Sequence, residues 1–286
     1  MVYLILSIFS SSIILLLFKH LDIKGIDVFQ TIVFNYLIAG ILGLIISYAG
    51  SNDHASFQIS GLPYALFIGL LFIVVFFLIA RSTRHAGVST TTVATKMSVV
   101  IPVLFSILRY NETLDWIKIT GICIALLALF LTVHKKSGHK VTIQSWLYPI
   151  IIFFGTGIVD TFIKYSQAEH IPVNSVGLFN AIVFGTSFLL GSLIFIFSWK
   201  AQIKKFEIRV LFYGALLGFA NFGSLFFLIS ALNNSGLDSS VVFPLNNIGV
   251  VVLSVLSAIV LFKEKLSTIN FAGVIIAIFA VLLLVG

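Results

Sequence analysis

The sequence predicts an all-α integral membrane protein: ten transmembrane helices arranged as two inverted five-helix repeats. Three observations carry that fold class. Of 286 residues, 59% are hydrophobic and only 9% are charged, too few charges to cover a soluble globular surface. Apolar runs of about 20 residues, the length that crosses about 30 Å of hydrocarbon, follow one another along the chain. A set of residues also recurs at a nearly constant shift.

The runs fall at 2–18, 28–48, 62–83, 88–109, 114–133, 146–166, 174–199, 207–232, 237–262 and 268–286. Each is expected to be a helix, because hydrocarbon offers no partner to a free backbone N–H or C=O. The connections are short and leave no room for an appended soluble domain. The first run lacks the basic n-region and small-residue cleavage site of a signal peptide, so it is read as a retained span. Cys123, the single cysteine, lies in the fifth run and excludes an intrachain disulfide. The net charge of +7 comes from Lys and Arg that fringe the apolar runs. That pattern is membrane anchoring, with the lipid bilayer as partner and no nucleic acid.

The repeat appears in three groups of residues. Lys19, Phe34, Asn35 and Gly40 recur as Lys164, Phe179, Asn180 and Gly185, at a shift of 145. Tyr64, Gly69, Phe77 and Gly87 recur as Tyr213, Gly218, Phe226 and Gly236, at 149. Glu112, Leu114, Gly121 and Ala128 recur as Glu264, Leu266, Gly273 and Ala280, at 152. A duplication with small loop insertions leaves this trace. It divides the chain into residues 1–137 and 138–286, one membrane-embedded unit of two repeats. Five spans is an odd number, so the second copy enters the membrane from the opposite side. Inverted repeats are a signature of secondary transporters, whose substrate site lies near the midplane.

Two segments then point to a family. "RYNETLDWIKITG" (109–121) and "LFKEKLSTINFAG" (261–273) resemble the EamA-like, ten-span members of the drug/metabolite transporter superfamily, in which a Glu closes the fourth and ninth spans. Glu112 and Glu264 match that Glu. Pro102 resembles the family's proline in the fourth span, whereas the second repeat has Ser254 at the aligned place and carries Pro244 instead. The resemblance implies a carrier of a small metabolite, amino-acid-like or another organic solute. It implies a central cavity built mainly by spans one, three, four, six, eight and nine, braced by spans five and ten.

Orientation follows from the loop charges. Thirteen Lys and Arg, from Lys19 to Lys265, fall in one set of loops, against three, Arg109, Lys118 and Lys164, in the other. The thirteen are expected on the cytoplasmic side of a bacterial inner membrane, with both termini outside.

The seventeenth basic residue is Lys96, inside "TTTVATKMSVVIP" (90–102). At the helical rise of 1.5 Å per residue it lies roughly 12 Å from the cytoplasmic end of its span. Asn246 and Asn247 lie roughly 15 Å from the outer end of the ninth span, and Ser10, Ser11 and Ser12 at a similar depth in the first. The functional reading makes this a polar midplane layer: Lys96 meets the anionic portion of a solute, Thr92 and Thr95 bond to it, and Asn246, Asn247, Ser11, Asn221 and Ser224 line the cavity. The bland reading has Lys96 snorkel to the interface and the Ser, Thr and Asn side chains bond backbone or neighbouring helices.

Asp160 and Lys164, in "GIVDTFIKY", are one turn apart. They read as an i,i+4 pair, or Asp160 reads as a proton or cation site that couples transport. The rise places Asp160 roughly 9 Å from the outer face, off the level of Lys96. Glu112 and Glu264 read as loop organisers, and Gly214 and Gly218 as a close helix contact. The sequence shows no GxSxG, no HExxH, no paired His cluster and no P-loop, so no catalytic residue, metal site or cofactor is expected. The remaining partners are a small-molecule substrate and, for a dimer, a second copy.

Overall fold

The computed structural model describes residues 1–50, 61–85, 88–112, 115–133, 143–198, 207–262 and 268–285. Over these the chain is helical: α1 (Val2–Lys24), α2 (Val28–Gly50), α3 (Leu62–His85), α4 (Val88–Met97), α5 (Val100–Tyr110), α6 (Trp116–Val133), α7 (Ile143–Glu169), α8 (Val176–Ser198), α9 (Ile208–Asn234), α10 (Ser239–Phe262) and α11 (Thr268–Val285). A 3-10 turn, Val173–Ser175, precedes α8. Each apolar run of the sequence is helical, and six of the helices are long and apolar enough to cross a membrane. The protein is therefore a multi-pass membrane protein. Gly87, Leu114, Glu264, Leu266 and the lysines Lys135, Lys136, Lys140, Lys200, Lys204, Lys205, Lys263 and Lys265 lie outside the described residues.

The fourth run departs from expectation, because it is two helices. Proline has no N–H, so Pro102 cannot donate to the Ser98 carbonyl four residues back. Around that missing bond Ile101 N–H donates to Ser98 at 2.9 Å and Val99 N–H reaches Lys96 at 3.5 Å, both three residues back. The ladder tightens and breaks between Met97 and Val100. Lys96 is left in the last turn of α4, where a cation suits the negative end of the helix dipole.

The chain folds into two compact units that each draw on both sequence halves. One holds residues 1–73 and 165–235, the other residues 74–164 and 236–286.

In the first unit α1 ends at Gly25, whose φ of +65° suits glycine. The Ile26 N–H donates to Leu21 C=O at 3.1 Å, and both residues are buried with Val210, the bond and apolar contact of a Schellman stop. Asp27 then caps α2, its Oδ1 accepting from the Gln30 N–H at 3.1 Å. Helix α2 packs against α8 and α9, and α1 against α9. The approaches are backbone-close: a Cβ on Gly43 would fall 2.6 Å from the Ala181 nitrogen, and one on Gly218 2.9 Å from the Asn35 oxygen. Gly214 and Gly218 both seat α9 on α2, so the GxxxG spacing serves packing within the chain.

In the second unit α6 packs against α11, α4 against α6, and α10 against α5, α6 and α11. Helix α7 reaches α5 through Gly157, where a Cβ would collide with the Ile101 side chain. Only glycine permits that approach, and it occurs at the helix break.

Candidate substrate site

The second unit contains the intramembrane charges. Lys96, in the last turn of α4, donates from Nζ to Asn247 Oδ1 on α10 at 3.2 Å. The amide therefore faces the lysine with its oxygen. Asp160, on α7, is the carboxylate that acts electrostatically on Lys96. The rise estimate placed these two charges at different levels with no direct salt bridge, and among the described residues the link between them is electrostatic, with no ion pair or hydrogen bond. Gly157 lets α7 approach α5 one turn from Asp160.

The expected pairing of Asp160 with Lys164 is also replaced. The electrostatic partners of Lys164 are Glu112 and Asp238, and its ammonium stands over the Tyr110 ring at 5.0 Å. An i,i+4 pair contributes only about 0.5 kcal/mol or less on a helix surface, so tertiary partners readily take both residues.

The remaining predicted residues divide. Asn246 is 8% exposed and its Oδ1 has no hydrogen-bond partner. Thr95 turns onto its own helix, Oγ1 donating to Thr91 C=O at 2.7 Å, and does not reach Lys96 as the sequence suggested. Thr91 Oγ1 meets Ser82 Oγ at 2.7 Å, joining α4 to α3. The Thr92 side chain lies outside the described residues.

Ser11 and Asn221 belong to the first unit. Ser11 Oγ meets Ser224 Oγ at 2.6 Å, and Ser7 Oγ donates to Ser224 C=O at 3.1 Å, so both tie α1 to α9. Asn221 Nδ2 donates to Asn35 Oδ1 at 3.2 Å, tying α9 to α2.

Glu112 organises a helix start instead of a loop turn. Its Oε1 accepts from Ser239 N–H at 3.1 Å and from Ser239 Oγ, and its Oε2 from Ser240 N–H at 2.9 Å. A carboxylate here satisfies orphan donors of α10 and complements the positive end of its dipole. Sequence reasoning overlooked Thr156, one turn before Asp160 on α7, whose buried hydroxyl has no hydrogen-bond partner. The spacing in "GTGIVD" puts it on the face of Asp160, and its lack of a partner is not legible there.

An apolar helical chain with a lysine, a carboxylate and an amide gathered in one unit suits a solute carrier. Residues 1–134 match the EamA-like transporter family. That match takes in 109–121, one of the two segments that carried the resemblance, and is consistent with the drug/metabolite transporter superfamily. The chain is also similar to an uncharacterized protein of Haemophilus influenzae, 29% identical over 285 residues, covering 97% of this chain and 95% of the relative. A solved crystal structure shares the fold with a TM-score of 0.76 and 14% identity, over 99% of this chain and 94% of that one. The EamA-like segment includes Lys96 and Glu112, while Asn247 and Asp160 lie beyond it.

Proposed function

We propose that the chain is a secondary transporter or exporter of a small organic solute, working by alternating access with ten spans in two inverted five-helix repeats, residues 1–137 and 138–286. The observation that carries the reading is the Lys96 to Asn247 hydrogen bond. It joins the broken fourth run to the ninth, the spans that the two repeats equate. A charged residue at a span centre costs about 2.5–3.5 kcal/mol on insertion scales, and such residues face water-filled cavities or partners in carriers. Lys96 contacts the anionic portion of the solute, Asn247 holds the ammonium in place, and Asn246 supplies a further polar group.

Asp160 contributes the opposite charge on which the cycle depends. Glu112 anchors the start of α10, and Ser11 and Asn221 hold helices together. The setting is a bacterial cytoplasmic membrane, with the basic loops inside and both termini outside. A copy of the chain acts alone or paired in that bilayer.

Comparing the metabolites of cells lacking and overproducing the protein should show one solute class displaced. Purified protein in liposomes should then move it, and Lys96→Met should stop that movement without loss of folding. Undiminished flux through folded Lys96→Met protein would overturn the site.

A further inference from the structure

The repeat reading equates α3 with α9, and the structure fastens the two helices differently. A shift of 149 sets Gly69, Phe72 and Val75 on α3 against Gly218, Asn221 and Ser224 on α9. A shift of 145 sets Ser11 and Asn35, on α1 and α2, against Thr156 and Asn180, on α7 and α8. The close glycine contacts survive in both copies: a Cβ on Gly218 would meet Asn35 and Ile38 of α2, and one on Gly69 would meet Val183 and Thr186 of α8. The hydrogen bonds that go with them survive in one copy only.

On α9, Asn221 donates to Asn35, and Ser224 meets Ser11 with its hydroxyl and accepts from Ser7 on its carbonyl. On α3 the same places hold Phe72 and Val75, whose side chains have no donor or acceptor. The groups they would have answered are left over. Asn180 is fully buried, its Nδ2 donates to Val176 C=O at 2.9 Å, and its Oδ1 has no hydrogen-bond partner. Thr156 Oγ1 is buried and has none either, whereas Thr31, Thr95, Thr161 and Thr186 each donate Oγ1 to the carbonyl four residues back, at 2.7–2.8 Å, the ordinary resting place of a helical threonine. Next to Thr156, a Cβ on Gly155 would fall 3.0 Å from Val75, so α7 meets α3 at that residue.

The loss falls in one stretch of α3. Gly69 C=O accepts from Ser187 Oγ of α8 at 2.9 Å, and Ser82 Oγ meets Thr91 Oγ1 of α4 at 2.7 Å. Between these ties residues 70–80 are all apolar, and the boundary between the two compact units crosses α3 among them, at 73 and 74. Helix α9 lies whole within one unit. Burial follows the same division, with 61% of the apolar stretch of α9 buried against 28% of that of α3. We propose that α3 is the moving wall of the carrier, bending between Gly69 and Ser82, and that α9 is its fixed counterpart. The inference rests on the carrier reading and adds to its two equated spans an inequality. Apolar surfaces that slide past one another leave no donor or acceptor bare. Moving α9 would strand Asn35, Asn221, Ser11 and Ser224 among apolar helices.

Amide hydrogen exchange of the full-length protein in liposomes, read by mass spectrometry, tests this without any solute, so its outcome is separate from that of the flux measurement. Peptides covering 70–80 should exchange about tenfold faster than those covering 219–229, the scale of two hydrogen bonds at about threefold each. Val75→Thr, a change of near-equal shape that sets a hydroxyl toward Thr156, should slow exchange over 70–80 about threefold. Adding Thr156→Val to the same chain should erase that slowing. Ser224→Ala should speed exchange over 219–229 by a similar factor. Melting in detergent checks that each variant is folded. Equal exchange of the two stretches in the wild-type protein would overturn the inequality, and so would a folded Val75→Thr protein whose α3 exchanges as before. If Val75→Thr does not fold, Ser224→Ala decides, and unchanged exchange over 219–229 would overturn the fixed role of α9.

Discussion

In the unit built from residues 1–73 and 165–235, the predicted Ser11, Ser224 and Asn221 end on polar partners: Ser11 on Ser224, whose carbonyl also takes Ser7, and Asn221 on Asn35. In the unit built from residues 74–164 and 236–286, Lys96 keeps uncommitted donors, and Thr156 and Asn246 keep uncommitted acceptors. What separates them is closure. Uncharged groups that complete each other's hydrogen bonds fasten helices, at an average of about 0.6 kcal/mol each in a membrane protein. Charged groups that remain incomplete are retained against a larger cost, which function must explain.

Lys96→Met gives the largest effect expected from that contrast. It keeps the stem volume and removes the charge. Substrate binding should weaken by about 2 kcal/mol or more, roughly 30-fold in affinity, while expression and melting are retained. Lys96→Arg should keep partial function, since charge persists and the fork geometry differs. Titration of the solute into wild-type and variant protein reads the ratio directly, and equal affinities would make Lys96 a snorkelling residue.

Much of this arrangement was legible in the sequence. The apolar runs set the helix positions to within a few residues, and Lys96 with Asn247 was nameable because two polar residues at similar depth in repeat-related spans have few other uses. Three features were not. The position of the helix break depends on which hydrogen bonds survive around Pro102, and Pro244, inside the unbroken α10, shows that proline alone does not decide it. Pro244 lies near the start of its helix and removes a bond from the first turns, whereas Pro102 stands in the middle of its run. The partner of Asp160 depended on Gly157 admitting α7 to the break, a tertiary contact that no local spacing encodes. The unpaired Thr156 hydroxyl is visible only by contrast with the threonines that bond their own backbone.

Packing offers the next effect in size, this time in the first unit. Gly43→Ala places a Cβ 2.6 Å from the Ala181 nitrogen and 2.8 Å from the Gly177 oxygen, and backbone cannot rotate away. It should destabilise the α2–α8 contact by about 1–3 kcal/mol and lower the melting temperature. Gly185→Ala, where a Cβ meets nothing within 4 Å, should change stability by less than about 0.5 kcal/mol. Equal melting of the two variants would mean that close backbone contact does not hold α2 on α8.

Glu112→Ala tests the second unit for a structural polar group. It removes both acceptors from the Ser239 and Ser240 N–H groups and should cost about 1–2 kcal/mol. Glu112→Gln should cost less, because an amide oxygen still accepts one bond. Thermal melting in detergent orders the three proteins. An unchanged Glu112→Ala melt would show that water replaces the carboxylate at this helix end.

The smallest effect is expected from Asn221, and it bears most directly on the contrast between closed and open groups. Its Nδ2 has a defined acceptor, Asn35 Oδ1 at 3.2 Å, and the residue is 6% exposed. Asn221→Ala removes that bond and should cost on the order of 0.6 kcal/mol, the mean for hydrogen bonds inside membrane proteins. Asn35→Ala should cost a similar amount, and the double variant less than the two together, because the same bond is lost in each. Melting of the four proteins of that cycle yields the coupling, and flux measured on the same preparations should stay at the wild-type level throughout. If folded Asn221→Ala protein instead lost transport as Lys96→Met does, completing a hydrogen bond would no longer distinguish a helix fastener from a substrate contact, and Asn221 would rejoin the cavity.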